Sequence, residues 1–339
     1  MKGPEIFIKR LNIELNKLEL KSFKIFIPLK GSLEDLDSFS GLKIGRLDGA
    51  IYFKHNAQSF FNLIKQRKNF EFIFIKWIPN FIFWIFQNLI NNYLNRYNRD
   101  ILEKADIIIF QSSISKKMHE FFWGKVNKAN VIIYNGVDRL DFKKRTIDSE
   151  INLVITARFR LNKRLRDAIL LVNKLNHSKY KYRLHVIGAL DNLTKKSIKD
   201  LDKRNIKFYG EMDYDKIQKI YNSMHIGISP SMFDPCPNSV VEMMSFSLPV
   251  ISTSASGASE LIGINQLIVE EDIDFKLYDL HDESKIPKIN IDNWVIKIEE
   301  TILDYENFSA QTYERFINNF DIKIIAENYK RVIESYGKN

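Results

Sequence analysis

A single cysteine, Cys236, stands among 339 residues, so no intrachain disulfide can form. That fits a reducing compartment. The six histidines show no metal-ligand spacing. Long apolar runs are also missing. The nearest approach, residues 70–94, is broken by Glu71, Lys76, Pro79, Asn80, Gln87 and Asn88. A spanning helix needs about 20 mostly apolar residues, so this segment is not read as one. Met1 is followed by Lys2, Gly3, Pro4 and Glu5 rather than an apolar stretch, and no leader is expected there. No internal repeat, low-complexity tract or nucleic-acid-reading module stands out, so nucleic acid is not an expected partner.

What is present is a 45% hydrophobic chain, long enough for two domains. The charge is uneven. Residues 1–150 hold 25 Lys and Arg against 16 Asp and Glu, which accounts for the whole net charge of +9. Such a half suits an anionic partner, such as a lipid surface or a phosphorylated acceptor, or else simply well-solvated faces. Residues 70–94 carry Trp77 and Trp84, with Lys65, Arg67 and Lys68 just before them. Aromatics beside a basic flank suit the headgroup region of a membrane, and they suit equally a helix buried in its own domain. The expected location is cytoplasmic, peripheral on the inner face of the cytoplasmic membrane.

Short apolar runs alternate with helical patterns. Strands are expected at 23–28, 107–111, 131–134, 153–157, 183–187, 206–209, 226–229, 249–252 and 267–269. Helices are expected at 6–18, 115–122, 165–175, 193–203, 214–223, 240–247 and 322–336. This alternation predicts an α/β protein with parallel sheets covered on both faces. Asn135-Gly136 is a turn signal, and the charged, aperiodic stretch that follows is read as the interdomain linker. The expected domains are residues 1–145 and 150–320, with a helix over 321–339 packing back on the first.

Residues 229–242, Ser-Pro-Ser-Met-Phe-Asp-Pro-Cys-Pro-Asn-Ser-Val-Val-Glu, place Asp234 and Glu242 around a strand, a tight turn and a helix start. Helix N-termini attract anions, and carboxylates accept hydrogen bonds from hydroxyls. A nucleotide sugar carries both kinds of group. A bland alternative exists for Glu242, which with Ser239 fits a capping box. After the expected strand 153–157, Arg158, Arg160, Lys163 and Arg164 form a basic loop suited to a diphosphate, or to solvent.

These segments resemble the retaining glycosyltransferases of family 4. The likeness runs through Ala157-Arg158-Phe-Arg-Leu-Asn-Lys163, Phe208-Tyr-Gly210, Ser229-Pro-Ser231 and Asp234-x7-Glu242. It continues through Ser247-Leu-Pro-Val-Ile251 and Ser256-Gly257-Ala-Ser-Glu260. Upstream, Ala105-Asp106 through Ser115-Lys116-Lys117 and Asn135-Gly136-Val137-Asp138 match the family's pattern as well. The resemblance implies the GT-B fold, two Rossmann-like domains facing across a cleft. It implies transfer of a hexose-type sugar from a nucleoside-diphosphate sugar to a glycan acceptor, without a metal. With the basic, aromatic first half, the acceptor is read as lipid-linked, in bacterial lipopolysaccharide, O-antigen or capsule assembly.

The resemblance also assigns roles. Glu242 would hold the ribose and Asp234 the donor sugar. Arg158, Arg160 and Lys163 would neutralise the diphosphate. Pro237, Asn238 and Ser239 would line the donor oxygens beside Gly210. Gly3 would open the donor loop, leaving the first domain either short of its first strand or starting upstream of Met1. Asp48, in Gly45-Arg46-Leu47-Asp48-Gly49, stands where the family places its base, although an Asp-Gly turn also explains it. His55 and His119 are read as surface residues. Two other functions fit the same residues: a sugar-nucleotide epimerase, or a binding protein that has lost transfer.

Overall fold

The computed structural model describes residues 3–18, 20, 23–26, 37–47, 100–176, 179–273 and 282–337. Two parallel sheets organise them. The first has the order β1(Phe23–Phe26), β2(Leu42–Leu47), β3(Ile107–Phe110), β4(Asn130–Ile132). Its central β3 is buried throughout, as a strand covered on both faces must be. Helix α1(Gly3–Asn16) precedes the first strand, and α2(Ser113–Trp123) follows β3. Gly3, predicted to open a donor loop, is instead the first residue of a helix.

The second sheet has the order β10-β9-β8-β5-β6-β7, made of β5(Glu150–Thr156), β6(Lys181–Ile187), β7(Ile206–Gly210), β8(Ile226–Ser229), β9(Val250–Thr253) and β10(Ile268–Val269). Its helices are α3(Leu165–Leu175), α4(Asn192–Ser197), α5(Tyr214–Tyr221), α6(Asn238–Ser245) and α7(Gly257–Ile262). The chain winds outward one way from β5 through β6 to β7, then returns to lay β8 on the other side of β5. Leu153 pairs with Ile226 and Val154 with Gly227. The reversal leaves a crevice beyond the carboxyl ends of β5 and β8, the position at which doubly wound sheets bind ligands. Helix α4 stops at Ser197, six residues short of the predicted end. The Ser197 hydroxyl donates to the Thr194 carbonyl at 2.9 Å, a local bond that competes with helix continuation.

Helices α8(Ile291–Leu303) and α9(Tyr305–Asn319) complete the second domain, and α10(Ile322–Tyr336) leaves it. Ile325, Tyr329 and Ile333 of α10 share one core with Phe7, Leu11 and Leu15 of α1 and Ile44 and Ile107 of the first sheet. The chain thus crosses between domains twice, and the crossings run side by side. Val137 N–H donates to the Phe320 carbonyl and Ile322 N–H to the Val137 carbonyl, at 3.1 and 3.0 Å. Gly136 permits this approach, since a Cβ there would lie 2.7 Å from Ile325 Cγ1. Among the described residues no helix is long and apolar enough to cross a membrane. Residues 70–94, with the predicted headgroup contact, lie outside the described residues.

Candidate active site

The two loops that border the crevice are those singled out by their charge. After β5, Phe159 N–H donates to the Ala189 carbonyl at 2.8 Å, and Asp191 N–H donates to the Phe159 carbonyl. Gly188 makes room for this loop, because a Cβ on it would sit 1.9 Å from the Ala157 carbonyl oxygen. A single 3-10 turn, Leu161–Lys163, then leads into α3. After β8, the loop 230–237 turns sharply at Phe233, whose φ is 52°. Gly257 at the start of α7 lies against it. Its N–H donates to the Asp234 carbonyl at 2.8 Å, and a Cβ would meet the Pro235 carbonyl oxygen at 2.0 Å. Nothing larger than glycine fits there.

Lys163 and Asp234 meet across the crevice in a half-sheltered ion pair. Arg158 and Arg160 are exposed at the rim. Arg160 also lines a small separate cavity with Arg164, Asp167 and Thr194. Of Arg158, Arg160 and Lys163, the cation fixed beside an acid is Lys163. Gly210 closes β7 with φ 72°, and its carbonyl accepts from Gly188 N–H at 2.7 Å.

Pro237 is the N-cap of α6, which begins at Asn238. Asn238 and Ser239 are its first two residues, and their N–H groups have no acceptor within the helix. The capping box is not formed. Ser239 lies inside the helix rather than at its cap, and no side chain caps the end. Glu242 is instead buried in the third of these helical positions after Ser239, with no hydrogen bond to its carboxylate from any described residue. Burial raises its pKa from 4.5 to about 7, opposed by the nearby charge of Arg10.

Arg10 belongs to α1, and sequence reading gave it no role. Its Nε lies 3.0 Å from Asp138 Oδ2, and its guanidinium sits 4.6 Å over the ring of Tyr214 at the start of α5. An N-terminal helix thereby reaches the second domain beside Glu242. Arg46, fully buried at the end of β2, bonds to Asn135 and to Tyr329 of α10. Asp48 and His55 lie outside the described residues. His119 is not a surface residue: it is 1% exposed, its Nδ1 lies 2.7 Å from the Ser115 carbonyl, and burial lowers its pKa to about 4.

The acidic loop is also held by the first domain. Ser112, the N-cap of α2, donates its hydroxyl to the Pro235 carbonyl, and Asn135 donates to Asn238. Glu260 of α7 accepts from Ser113 N–H at 2.8 Å, from the Ser113 hydroxyl, and from Tyr134 Oη at 2.9 Å. Burial and this carboxylate raise the Tyr134 phenol well above its ordinary pKa. An acid at the N-terminus of α2 also meets the positive end of that helix. Glu260→Ala leaves these donors without their acceptor, which should destabilise the closed arrangement by about 1–3 kcal/mol. A lower thermal midpoint and a larger radius of gyration by X-ray scattering are expected. An unchanged radius would show that Glu260 does not hold the domains together.

Residues 150–278 match the family described as Glycosyl transferases group 1. No curated protein matches the chain. Among solved structures, TarM of S. aureus is 16% identical over 95% of this chain and 58% of its own, with a TM-score of 0.63. HepE of Anabaena, bound to UDP, is 14% identical over 87% of this chain and 72% of its own, with a TM-score of 0.60. The pneumococcal O-GlcNAc transferase GtfA, bound to UDP and GlcNAc, is 17% identical over 70% of this chain, with a TM-score of 0.54. The chain spans 46% of the length of that last protein. Residues 150–278 are thus similar to the glycosyl transferases group 1 family, in a chain that has the GT-B fold.

Proposed function

We propose that this protein is a retaining, metal-independent glycosyltransferase. It moves a hexose-type sugar from a nucleoside-diphosphate donor to a glycan acceptor, lipid-linked and part of bacterial surface polysaccharide assembly. The observation that carries the reading is the convergence of Lys163, Asp234 and the start of α6 at the one crevice where the strand order reverses. HepE and GtfA, of the same fold, hold UDP in their structures. The basic, aromatic first half is what favours a lipid-linked acceptor at an anionic surface.

In this reading the ribose hydroxyls donate to Glu242 and hydroxyls of the donor sugar to Asp234. The diphosphate lies against Lys163, Arg158 and the N–H groups of Asn238 and Ser239. The bond from the anomeric carbon to the β-phosphate oxygen breaks while the acceptor hydroxyl attacks the same carbon. The acceptor proton leaves to a base, and Asp48 is the first-domain candidate. Negative charge grows on the departing diphosphate, where fixed cations and a helix N-terminus stabilise it without reorganising. This is the electrostatic task a metal would otherwise perform, so the reading requires none.

A thermal-shift screen over nucleotide sugars tests the donor half, because a ligand bound only by the native state raises its midpoint. One nucleotide sugar is expected to raise it by several degrees, and labelled sugar from that donor should enter a lipid-extractable product. No shift with any nucleotide sugar would refute the proposal. A new sugar epimer formed without acceptor would replace it with an epimerase.

A further inference from the structure

Three consecutive residues of the basic loop are tied, one by one, to the acidic loop. The Asn162 carbonyl accepts from Met232 N–H at 2.9 Å, and its side-chain amide donates to the Met232 carbonyl at 3.2 Å. Lys163 pairs with Asp234. Arg164 donates from Nη1 to the Pro230 carbonyl at 3.4 Å and to Glu271 Oε2 at 2.7 Å.

Arg164 is unusual in two respects. Its backbone is left-handed, with φ 51° and ψ 40°, a conformation that costs an L-residue about 1–2 kcal/mol. Its side chain is 1% exposed and that of Glu271 7%, so both charges are out of water. Nε and Nη2 of Arg164 and Oε1 of Glu271 meet no described partner. A buried ion pair with incomplete hydrogen bonding is a poor source of stability, since desolvating the ions offsets their attraction. Strain kept beside a functional lysine suggests a role in placing it. Glu271 is itself anchored, its N–H donating to Ser254 Oγ at 2.9 Å beyond β9. The pair therefore runs beneath the acidic loop, from the end of β5 to the end of β10.

We propose that Arg164 and Glu271 are positioning residues that fix the Lys163 ammonium group at the diphosphate subsite of the donor crevice. This rests on the donor-site reading above. The test is a double-mutant cycle on UDP affinity, measured by calorimetry. Glycine accepts the left-handed backbone, so Arg164→Gly removes the side chain without adding strain. It is expected to weaken UDP about tenfold, roughly 1.4 kcal/mol. In a Lys163→Ala background the same change should alter affinity less than twofold, because the effect passes through Lys163. A purely structural role would give losses that multiply, and that result overturns the proposal. Should Arg164→Gly alone fold poorly, Arg164→Gly with Glu271→Gln leaves no buried charge unpaired and takes its place in the cycle. It should show the same coupling, and multiplied losses there overturn the proposal equally. Wild-type protein that binds no UDP would refute a UDP donor site itself. UDP binding with multiplied losses would refute only the positioning role.

Discussion

Lys163→Ala and Asp234→Ala are each expected to slow sugar transfer by about 10²–10³-fold, the range seen when one preorganised charge is removed from a developing anion. Transfer would be followed as release of the nucleoside diphosphate in the presence of acceptor. The two losses have different origins. Without Lys163 the departing diphosphate lacks its nearest cation. Without Asp234 the donor sugar lacks a hydroxyl acceptor, and Lys163 lacks the carboxylate that now holds it. Both side chains are 16–18% exposed and lie at the crevice, so thermal midpoints should stay within a few degrees of wild type. Two variants that turn over at the wild-type rate would sink the assignment of this pair.

Glu242→Gln should stabilise the protein at pH 8 while weakening its hold on the nucleotide. The buried carboxyl keeps its proton up to about pH 7, whereas the unfolded chain releases it near 4.5. Between those values the folded state binds the extra proton, so stability falls as pH rises. Above pH 7 the loss amounts to about 3 kcal/mol, from a shift of that size at 1.36 kcal/mol per unit. Glutamine removes the penalty, giving a higher thermal midpoint than wild type at pH 8 and an equal one near pH 4.5. The same charge is what ribose hydroxyls bind, and hydrogen bonds to a charged group contribute about 1.5–3 kcal/mol. Nucleotide affinity should therefore drop about 10–100-fold at pH 8 in the variant. In the wild type it should fall as pH is lowered through 7, as protonation removes the acceptor. A variant that is no more stable at pH 8, or that binds UDP as wild type does, would show that Glu242 neither carries this burial cost nor meets the ligand. A site residue whose replacement stabilises the fold is the expected trade between stability and function.

Much of this site was legible in the order of residues. The acids at 234 and 242, the basic loop from 158 to 164 and the alternation of apolar runs with helical patterns are local properties. They report strand ends and helix starts because side-chain periodicity and turn chemistry act within a few residues. Lys163 and Asp234 stand out separately in the residue order, with different roles, and only the fold shows them paired. Glu260 stood in a motif, but its task was hidden, since Ser113 and Tyr134 lie more than 120 residues away.

The amino-acid order alone thus determined the α/β class and the two charged loops that border the crevice. Only the tertiary structure decided what those residues touch. It placed the start of α6 at Asn238, so that Glu242 is buried instead of serving as a cap. It brought Arg10 from an N-terminal helix onto Tyr214, buried His119, and set Arg164 against Glu271 beneath the acidic loop. The reason is physical. Burial and long-range pairing depend on how sheets and crossing helices stack, and a carboxylate near a helix start reads the same in sequence whether it faces water, its own backbone or a ligand.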